Sequence, residues 1–515
     1  MLRRHLKRYK PLLSWYRKRV FGKPWEELNR RPSAWQKAVS TPASTYQNSI
    51  ALNASVVILA SQDASSLRMS TDSARAAGFN VYVVTDSMPP GDADAHYTTL
   101  SELASHPPAA DWLCFINAGD QVLHNAAAVV HRAANTHVQA RCLACDYFAG
   151  AEHQPVFLPP WLRYSCTPEA AFSRACWFDR ELLTALCTTT PVNNAAAVPA
   201  MLLPALSAQQ IVTTSELAFA FPEPATIEEP PIRFAGSDTT DAPTVTVIIP
   251  TRDNPELLSA CIDSLRSQVD YTNYDIVIVD NQSQQPDTLQ LLSRLGEHPK
   301  ITVARYDAPF NYAAINNWAV AQTNSEFVVF LNDDVEIQSC HWLSTMLHYA
   351  KRDEVGAVGC KLLYGDRTVQ HAGVAIGTLG GAAHKYKYLP ETASGYFYEL
   401  QTDHAVSAVT AACLLMRRDL FDTLGGFDET SLTVAFNDID LCLKAAEAGK
   451  VNVVCNRVVH LHHESKSRGE DLSPEKAARF SSEKAYMEKR WQLSTTSDPF
   501  IHDGIQRRLN RRYER

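Results

Sequence analysis

The chain of 515 residues lacks a long apolar run. A helix that spans a membrane needs about 20 consecutive, mostly apolar residues, and no stretch of this sequence reaches that length. The basic start MLRRHLKRYK also lacks the apolar core of a secretion signal. We therefore expect a protein of the cytoplasm and not an integral membrane protein.

The chain also has fewer basic residues than acidic ones, 48 lysines and arginines against 56 aspartates and glutamates. The formal net charge is −8 and the isoelectric point is about 6.1, which argues against a surface built to bind nucleic acid. Hydrophobic residues make up 45% of the chain and charged residues 20%, as is usual for a folded enzyme, so wholesale disorder is excluded. The length predicts two or three domains.

Cysteine is present but has no metal-binding pattern. The twelve cysteines are scattered, mostly beside apolar residues, as is typical of reduced thiols in a protein core. Cys142 and Cys145 form a CxxC, but no second pair or histidine pair follows at the spacing of a zinc site. We interpret this CxxC as a packed turn.

The N-terminal segment, residues 1–45, is predicted to be a basic amphipathic helix. Residues 1–31 carry eleven basic residues against two acidic ones. Their apolar residues recur at helical spacing: Leu2, Leu6, Tyr9, Leu12, Leu13, Tyr16 and Val20. Such a helix can lie on an anionic membrane surface. Docking on the acidic body of the protein would need the same pattern, so both interpretations stay open.

An α/β pattern begins after this segment. Ser55–Ala60, Asn80–Thr85 and Asp111–Asn117 are predicted to be buried strands with helices between them, which indicates a parallel sheet in a domain over residues 46–220. Residues 221–243 are rich in proline, acidic and small residues, a composition typical of a linker.

Polar residues follow three predicted strands of the second domain, residues 244–495. The strand Val245–Ile249 ends before Pro250, Asp275–Val279 before Asp280, and Glu326–Leu331 before Asn332, Asp333 and Asp334. In such sheets ligands bind beyond the carboxyl ends of the strands, so we expect the site at these residues. Residues 496–515 are predicted to be a basic tail.

The two domains have the same order of motifs. The strand that ends in VVTDS (residues 83–87) parallels the one that ends in IVDNQ (278–282), and FINAGD (115–120) parallels VFLNDD (329–334). The sequence therefore predicts a duplicated domain whose first copy is poorer in acidic residues.

The adjacent carboxylates of Asp333 and Asp334 are candidates for a metal site. Neighbouring carboxylates repel each other, and a hard cation such as Mg²⁺ or Mn²⁺ relieves that cost. A solvated acidic turn is the alternative. Asp438 and Asp440 stand at the predicted start of a helix. Asp438 is a candidate general base, whereas we interpret Asp440 as a helix-capping residue.

A basic cluster follows in VVHLHHESKSRG (residues 458–469). An imidazole of this cluster can complete a metal site, and Lys466 and Arg468 can bind phosphate.

As a set, these motifs resemble the family 2 nucleotide-sugar glycosyltransferases, which have the GT-A fold, a Rossmann-like mixed sheet. The resemblance covers residues 244–491, about half of the chain, and its run from PFNYAAINN to HHESKSRG is similar to rhamnosyltransferases of O-antigen and capsule assembly. The matching stretches are VTVIIPTRDNPELLSACIDSL, YDIVIVDNQS, APFNYAAINNWAV, EFVVFLNDDVEI, VGAVGCKLLYGDRTVQHAGV, VSAVTAACLLMRRDLFDTLGGFDE, AFNDIDLCLK and HLHHESKSRG.

The resemblance implies a role for each candidate residue. Asp438 would be the catalytic base, and Asp334 would bind the metal together with His462 or His463. Residues implied to bind the nucleotide-sugar are Pro250, Thr251, Asp280, Asn317, Asp333, Lys466 and Arg468.

The implied activity is an inverting transfer that depends on Mn²⁺ or Mg²⁺. The donor would be a dTDP- or UDP-sugar, with rhamnose favoured by the resemblance, and the acceptor a growing surface polysaccharide or a lipid-linked glycan. A lipid-linked acceptor would fit an enzyme held at the inner face of the cell membrane by residues 1–31. The first domain, with its single retained acid in INAGD, is expected to be a scaffold or to bind acceptor.

Two other functions compete with this interpretation. A nucleotidyltransferase also uses paired acids and a metal, but it would carry a glycine-rich basic loop after its first strand, and PTRDN (residues 250–254) has one arginine and no glycine. A polysaccharide-binding or assembly protein on a decayed transferase fold fits the first domain. It fits the second domain badly, because a decayed domain would have lost the acidic residues that catalysis requires, and the second domain retains them.

The membrane interpretation of the N-terminal segment predicts that deleting residues 1–31 lowers the partition of the protein to anionic vesicles, since the basic residues supply the attraction. Sedimentation with vesicles of defined anionic lipid content measures this. Unchanged partition would contradict the prediction and favour docking on the protein body.

Overall fold

A computed structural model describes residues 53–60, 63–86, 93–150, 154–160, 175–186, 194–222, 242–378, 381–463 and 474–513. The predicted N-terminal helix, most of the predicted linker, and Lys466 and Arg468 lie outside these ranges. The chain divides into two compact units, one within Arg31–Pro231 together with Ile501–Ile505, the other built mainly from Ile232–Phe500 and Gln506–Arg515.

The N-terminal unit is an α/β structure around one sheet. Its strands are β1 (Ala54–Leu59), β2 (Asn80–Val84), β3 (Ala95–Tyr97), β4 (Trp112–Asn117), β5 (Gln121–Val122), β6 (Cys142–Ala149), β7 (Gln154–Val156), β8 (Cys176–Asp179) and β9 (Ile211–Phe221). Its α-helices are α1 (Ala64–Ala76), α2 (Leu100–Ser105), α3 (Ala126–Thr136) and α4 (Val198–Leu202). The strand order is β3-β2-β1-β4-β8-β6-β9-β5, with β7 beside β6.

The C-terminal unit has a larger sheet. Its strands are β10 (Val245–Thr251), β11 (Tyr274–Asp280), β12 (Ile301–Arg305), β13 (Phe327–Leu331), β14 (Val335–Ile337), β15 (Val355–Leu363), β16 (Val369–His371), β17 (Val374–Thr378), β18 (Gly381–His384), β19 (His404–Val406), β20 (Cys413–Arg417) and β21 (Val451–His462). Its helices are α5 (Pro255–Gln268), α6 (Pro286–Leu295), α7 (Tyr312–Ala321), α8 (Trp342–Ala350), α9 (Arg418–Thr423), α10 (Asn437–Glu447) and α11 (Pro474–Trp491), and the chain continues into α12 (Asp503–Tyr513).

The sheet of the C-terminal unit runs in the order β12-β11-β10-β13-β20-β15-β21-β14, with β16 beside β15 and β19 beside β21. Successive residues of a strand point to opposite faces. Accordingly Val247 and Ile249 of β10 belong to one buried core and Ile248 to the other. The sheet is therefore apolar on both faces, which explains why its central strands are continuous apolar runs in the sequence.

The two sheets share one topology. Counted from the first strand of each unit, the order of the eight principal strands is the same. The directions match as well: three parallel pairs, two antiparallel pairs, one parallel and one antiparallel pair follow one another across each sheet. This agreement supports the prediction of a duplicated domain.

Two local predictions differ from the structure. Strand β10 continues through Pro250 to Thr251, because β13 pairs with β10 only as far as Ile248 and leaves the proline free of that ladder. Cys142 and Cys145 lie within β6 and not in a turn; both are fully buried, as apolar strand residues are.

Most of the predicted basic tail, residues 496–515, forms α12. Ile505 and Leu509 repeat at helical spacing and are buried. The side chains of Gln506 and Asn510 donate hydrogen bonds to the carbonyl oxygen of Gly377, at 2.9 and 2.7 Å. A Cβ atom at Gly377, whose φ is +63°, would lie 1.8 Å from the carbonyl oxygen of Thr496, so this approach requires glycine.

None of the helices in the described ranges combines the length and the apolar character that crossing a bilayer requires.

The central sheet predicts a clear contrast between two leucines. Leu415 of β20 is fully buried, whereas Leu289 of α6 is 44% exposed. We expect Leu415→Ala to lower the free energy of unfolding by about 2–5 kcal/mol, because it leaves a cavity in the core. Leu289→Ala should cost less than about 1 kcal/mol. Urea unfolding of the two variants measures the difference, and equal midpoints would contradict the assigned packing.

Candidate active site

The carboxyl ends of β10, β11 and β13 bring the predicted polar residues together. Thr251 and Asp280 are directly opposite each other in the parallel pair β10–β11. The hydroxyl of Thr251 donates a 2.7 Å hydrogen bond to Oδ2 of Asp333, just beyond β13. Pro250 stands one residue earlier, opposite Val279. Sheet geometry alone therefore gathers four of the predicted residues.

Asp280 is held from two sides. Its Oδ1 accepts a 2.9 Å hydrogen bond from the backbone N–H of Ser283, and its Oδ2 forms an ion pair with Arg305, the residue opposite it on β12. The carboxylate is 5% exposed and Arg305 is 44% exposed. The arginine therefore covers Asp280 at the rim of the sheet, a contact that the sequence did not indicate.

The carboxylate of Asp334 lies beside the imidazole of His462, whereas His463 contacts Asp334 through its backbone N–H, which donates to the carbonyl oxygen of Asp334. The pair β14–β21 puts Val335 opposite His462, and Nε2 of His462 lies 3.1 Å from Oδ1 of Asp334. The Nε2 atom of His463 lies 3.1 Å from Oε2 of Glu336 instead. Successive strand residues face opposite ways, so only one of the two predicted histidines can join Asp334.

The donors at Asp334 and His462 suit a divalent cation. Carboxylate oxygen and imidazole nitrogen are common ligands of Mn²⁺, and carboxylate oxygen of Mg²⁺. Two adjacent ligands of an octahedral ion with bonds of about 2.1 Å are about 3.0 Å apart. The 3.1 Å separation of Nε2 and Oδ1 therefore fits one ion bound by both.

Asp438 lies in the first turn of α10 and is held by backbone N–H groups. Its Oδ2 accepts a 3.1 Å hydrogen bond from Ala411 and its Oδ1 one of 2.9 Å from Ile439. Burial raises the pKa of this carboxyl, and the hydrogen bonds from Ala411 and Thr410 act in the opposite direction. The preceding Phe436 has φ +64°, a conformation that is costly for a bulky residue and is often found at functional sites.

One short segment connects Asp438 with the acidic pair. Ala411 binds Asp438 through its N–H, and the carbonyl of Ala412 accepts a 3.0 Å hydrogen bond from the N–H of Asn332. The candidate base and the candidate metal ligands therefore flank the same two alanines.

Asp440 has a structural position. It is fully buried, and its Oδ1 accepts a 2.9 Å hydrogen bond from Nε1 of Trp491. Lys444 and Arg490 lie at 3.3 and 3.4 Å from its oxygens. The residue ties α10 to α11 through these contacts, whereas the sequence predicted a helix-capping residue.

Asn317 is occupied by a loop. Its Oδ1 accepts from the N–H of Phe427 at 2.9 Å, and its Nδ2 donates to the carbonyl of Phe427 at 2.9 Å and to Glu429 at 3.0 Å. These contacts give Asn317 the function of fixing the loop before α10. A direct contact with the donor stays a prediction.

Three residues near His462 had no predicted role. Gln370 lies 2.6 Å from Nδ1 of His462, and the Nδ1 atoms of His371 and His384 are 2.8 Å apart. Burial lowers the pKa of His371 to about 3 and that of His384 well below its ordinary value, so both rings are neutral. The motif TVQHAGV contains Gln370 and His371, but a role for them could be inferred only from the pairing of β16 with β15.

A second group with metal-ligand atoms lies in the core. Donor atoms of Cys360, Cys413 and His460 are within 4.8 Å of one another. The backbone N–H of Gln338 donates to Nδ1 of His460 at 3.2 Å, so the neutral ring carries its proton on Nε2. A protonated Nε2 cannot bind a metal, and we assign no metal to this group.

The N-terminal unit carries none of these functional groups at the matching positions. The two sheets can be matched by register, because Val56 lies opposite Val81 and Cys114 as Val247 lies opposite Ile276 and Val329. By this register and that of the β5–β9 and β14–β21 pairs, the positions of Thr251, Asp280, Asp333, Asp334 and His462 are taken by Ala60, Thr85, Ala118, Gly119 and Phe221. The carboxylates and the imidazole of the C-terminal site are absent from these five positions.

Comparisons with known proteins find relatives of this part of the chain. Residues 246–425 match the model of the family described as Glycosyl transferase family 2. The uncharacterized protein y4gI of Sinorhizobium fredii is 46% identical over 51% of this chain and 29% of its own length. The O-antigen biosynthesis protein RfbC of Myxococcus xanthus is 42% identical over 51% of this chain and 20% of its own length.

The chain thus spans less than a third of the length of these two relatives. Among solved structures, a mannosyltransferase of Pyrobaculum calidifontis in complex with GDP-mannose and Mn²⁺ overlaps 49% of this chain and 66% of its own, at 21% identity and a TM-score of 0.37.

The two histidines predict a contrast in metal binding. His462→Ala should weaken Mn²⁺ binding at least about tenfold, because it removes a nitrogen beside Asp334, whereas His463→Ala should change it less than twofold. Titration calorimetry of the purified variants measures both. The reverse order would contradict the assignment of His462.

Proposed function

We propose that the C-terminal unit, whose residues 246–425 match the model of Glycosyl transferase family 2, is a glycosyltransferase domain with the GT-A fold. It would transfer a sugar from a nucleotide-sugar donor to a glycan acceptor, with inversion and with help from Mn²⁺ or Mg²⁺. The observation that carries the proposal is the arrangement of Asp334 with His462 and of Asp438 on the two sides of Ala411 and Ala412.

The donor would bind along the ends of β10, β11 and β13. Asp333, oriented by the hydroxyl of Thr251, has oxygens suited to the ribose hydroxyls. Asp280 and Arg305 form the neighbouring wall, suited to the polar edge of the base. Asp334 and His462 would hold the cation, which when bound stabilises the negative charge of the departing diphosphate.

Asp438 would act as the general base. Its carboxylate takes the proton of the acceptor hydroxyl while that oxygen forms a bond to the anomeric carbon. The bond from the anomeric carbon to the phosphate oxygen breaks, and its electron pair leaves with the nucleoside diphosphate. Attack from the face opposite the leaving group inverts the anomeric centre, and no covalent enzyme intermediate is needed. A pKa raised by burial makes the carboxylate a better proton acceptor.

The donor and acceptor are proposed at a finer level from sequence resemblance. A dTDP- or UDP-sugar is the proposed donor, with rhamnose as the proposed sugar, because the motifs of the C-terminal unit are similar to those of rhamnosyltransferases. A surface polysaccharide or lipid-linked glycan is the proposed acceptor, supported by the similarity to an O-antigen biosynthesis protein. Residues 1–31 would then hold the enzyme at the inner face of the membrane.

For the N-terminal unit we propose a scaffold or acceptor-binding function. Its sheet has the topology of the catalytic one, but Ala118, Gly119 and Phe221 stand at the positions of the metal-site residues. A metal needs oxygen or nitrogen donors, so a second metal-dependent transfer in this unit is disfavoured.

The proposal is tested by screening nucleotide-sugars for binding and turnover with and without Mn²⁺ or Mg²⁺. One donor should bind in a metal-dependent way, and Asp334→Ala should abolish this. Asp438→Asn should bind that donor normally and lose about 10²–10⁴-fold in turnover, because it removes the proton acceptor. Binding of no nucleotide-sugar under any metal condition would favour a polysaccharide-binding protein instead.

The raised pKa of Asp438 adds a pH dependence to the same experiment. The base works only when deprotonated, so kcat/KM should fall as the pH is lowered through that pKa, above the usual aspartate value of about 3.9. The residual activity of Asp438→Asn should lack this limb.

A further inference from the structure

The imidazole of His462 has a polar neighbour at each nitrogen. On one side, Oε1 of Gln370 lies 2.6 Å from Nδ1. On the other, Oδ1 of Asp334 lies 3.1 Å and Nδ2 of Asn332 lies 3.4 Å from Nε2. The ring is 10% exposed, so these protein groups and not bulk water determine which nitrogen carries the proton.

The neighbours favour one tautomer. A carboxamide oxygen can only accept, so the 2.6 Å contact requires a proton on Nδ1. In the neutral ring Nε2 then has the free lone pair, and the amide of Asn332 can donate to it. That lone pair lies 3.1 Å from Oδ1 of Asp334, a repulsion between two acceptors that a cation bound by both atoms would remove. The opposite tautomer would set two lone pairs against each other at Gln370.

Gln370 is itself fixed by the sheet. It lies in β16 between Val369 and His371, which pair with Leu363 and Leu362 of β15. The same two residues of β15 pair on their other side with β21, just before His462. Gln370 is 4% exposed. Its side chain therefore reaches over β15 from a position that backbone pairing defines.

We propose that Gln370 is a positioning residue for the metal site: it holds His462 as the Nδ1–H tautomer, so that Nε2 is ready to bind the cation together with Asp334. This inference rests on the proposed metal-dependent function. Histidine ligands commonly donate their second ring N–H to a protein acceptor, which fixes the ring and its tautomer.

A neutral acceptor suits this location. Asp333 and Asp334 already bring two carboxylates to the end of β13, and a third beside His462 would add repulsion between like charges in a buried site. The adjacent His463 shows the contrast, because its partner is the carboxylate of Glu336, which is 35% exposed. The amide of Gln370 orients the imidazole without adding charge.

The first measurement is the tautomer of His462 in metal-free protein. Two-bond ¹⁵N–¹H correlation on histidine-labelled protein distinguishes the two nitrogens, and the His462→Gln variant assigns the signal among the 17 histidines. We expect a protonated Nδ1. A proton on Nε2 alone would overturn the proposal, and the protonated nitrogen is identified in the wild-type protein, with His462→Gln needed only for assignment.

The second measurement is Mn²⁺ affinity, by electron paramagnetic resonance. Gln370→Leu has a similar volume but no acceptor, and should bind Mn²⁺ about 10–100-fold more weakly and show a mixture of His462 tautomers. Gln370→Glu keeps an acceptor and should retain the tautomer and at least wild-type affinity. Glu336→Gln, the matched change beside His463, should leave both unchanged.

The two proposals fail in different ways. Wild-type affinity in Gln370→Leu, together with an unchanged tautomer, would overturn the role of Gln370 and leave the metal site intact. Failure of the wild-type protein to bind Mn²⁺ or Mg²⁺ would overturn the metal-dependent function, and with it the role of Gln370. If Gln370→Leu does not fold, loss of the Nδ1–H tautomer in Gln370→Glu, which keeps the acceptor, would equally overturn the role.

Discussion

Two adjacent carboxylates at the end of a buried strand impose the constraint around which the C-terminal unit is organised. Asp333 and Asp334 are 8% and 6% exposed, and charges held this far from water require partners. The hydroxyl of Thr251 donates a hydrogen bond to Asp333, and Asp334 lies beside the imidazole of His462, with which it could hold a cation. These neighbours come from β10 and from the end of β21, strands far apart in the sequence. The strand order of the sheet therefore brings both neighbours to the acidic pair.

The sequence was sufficient for features that depend on local pattern. Apolar runs identified β1, β10, β11 and β13, and the polar residues at their ends identified the edge where the site forms. Features that depend on the pairing of strands far apart in the chain could not be predicted from the sequence. Which histidine faces Asp334 follows from the register of β14 against β21, where a shift of one residue exchanges His462 for His463. Gln370 acquires a function only through the pairing of β16 with β15. The contact of Asn317 with the backbone of Phe427 could not be predicted either, because the two residues are 110 positions apart.

The two units have the same sheet topology but different functional groups at the strand ends. Their sheets agree in strand order and direction, yet five strand-end positions differ in the presence of carboxylate, hydroxyl and imidazole groups. The strands are specified by buried apolar residues, which both units have, whereas the site consists of a few side chains just beyond the strands. A small number of substitutions at those positions can therefore change the functional groups of the site and leave the packed sheet unaffected.

The long strand β21 connects the candidate site with the buried cores of the C-terminal unit. Val453, Val454 and Val458 are buried in the two cores of the unit, and His462 follows four residues after Val458 on the same strand. Along a strand, inserting or deleting a single residue turns every later side chain to the opposite face. Between Val458 and His462, point substitutions would therefore be tolerated better than any change in spacing. In related sequences we therefore expect this segment to vary in residue type but to keep its length.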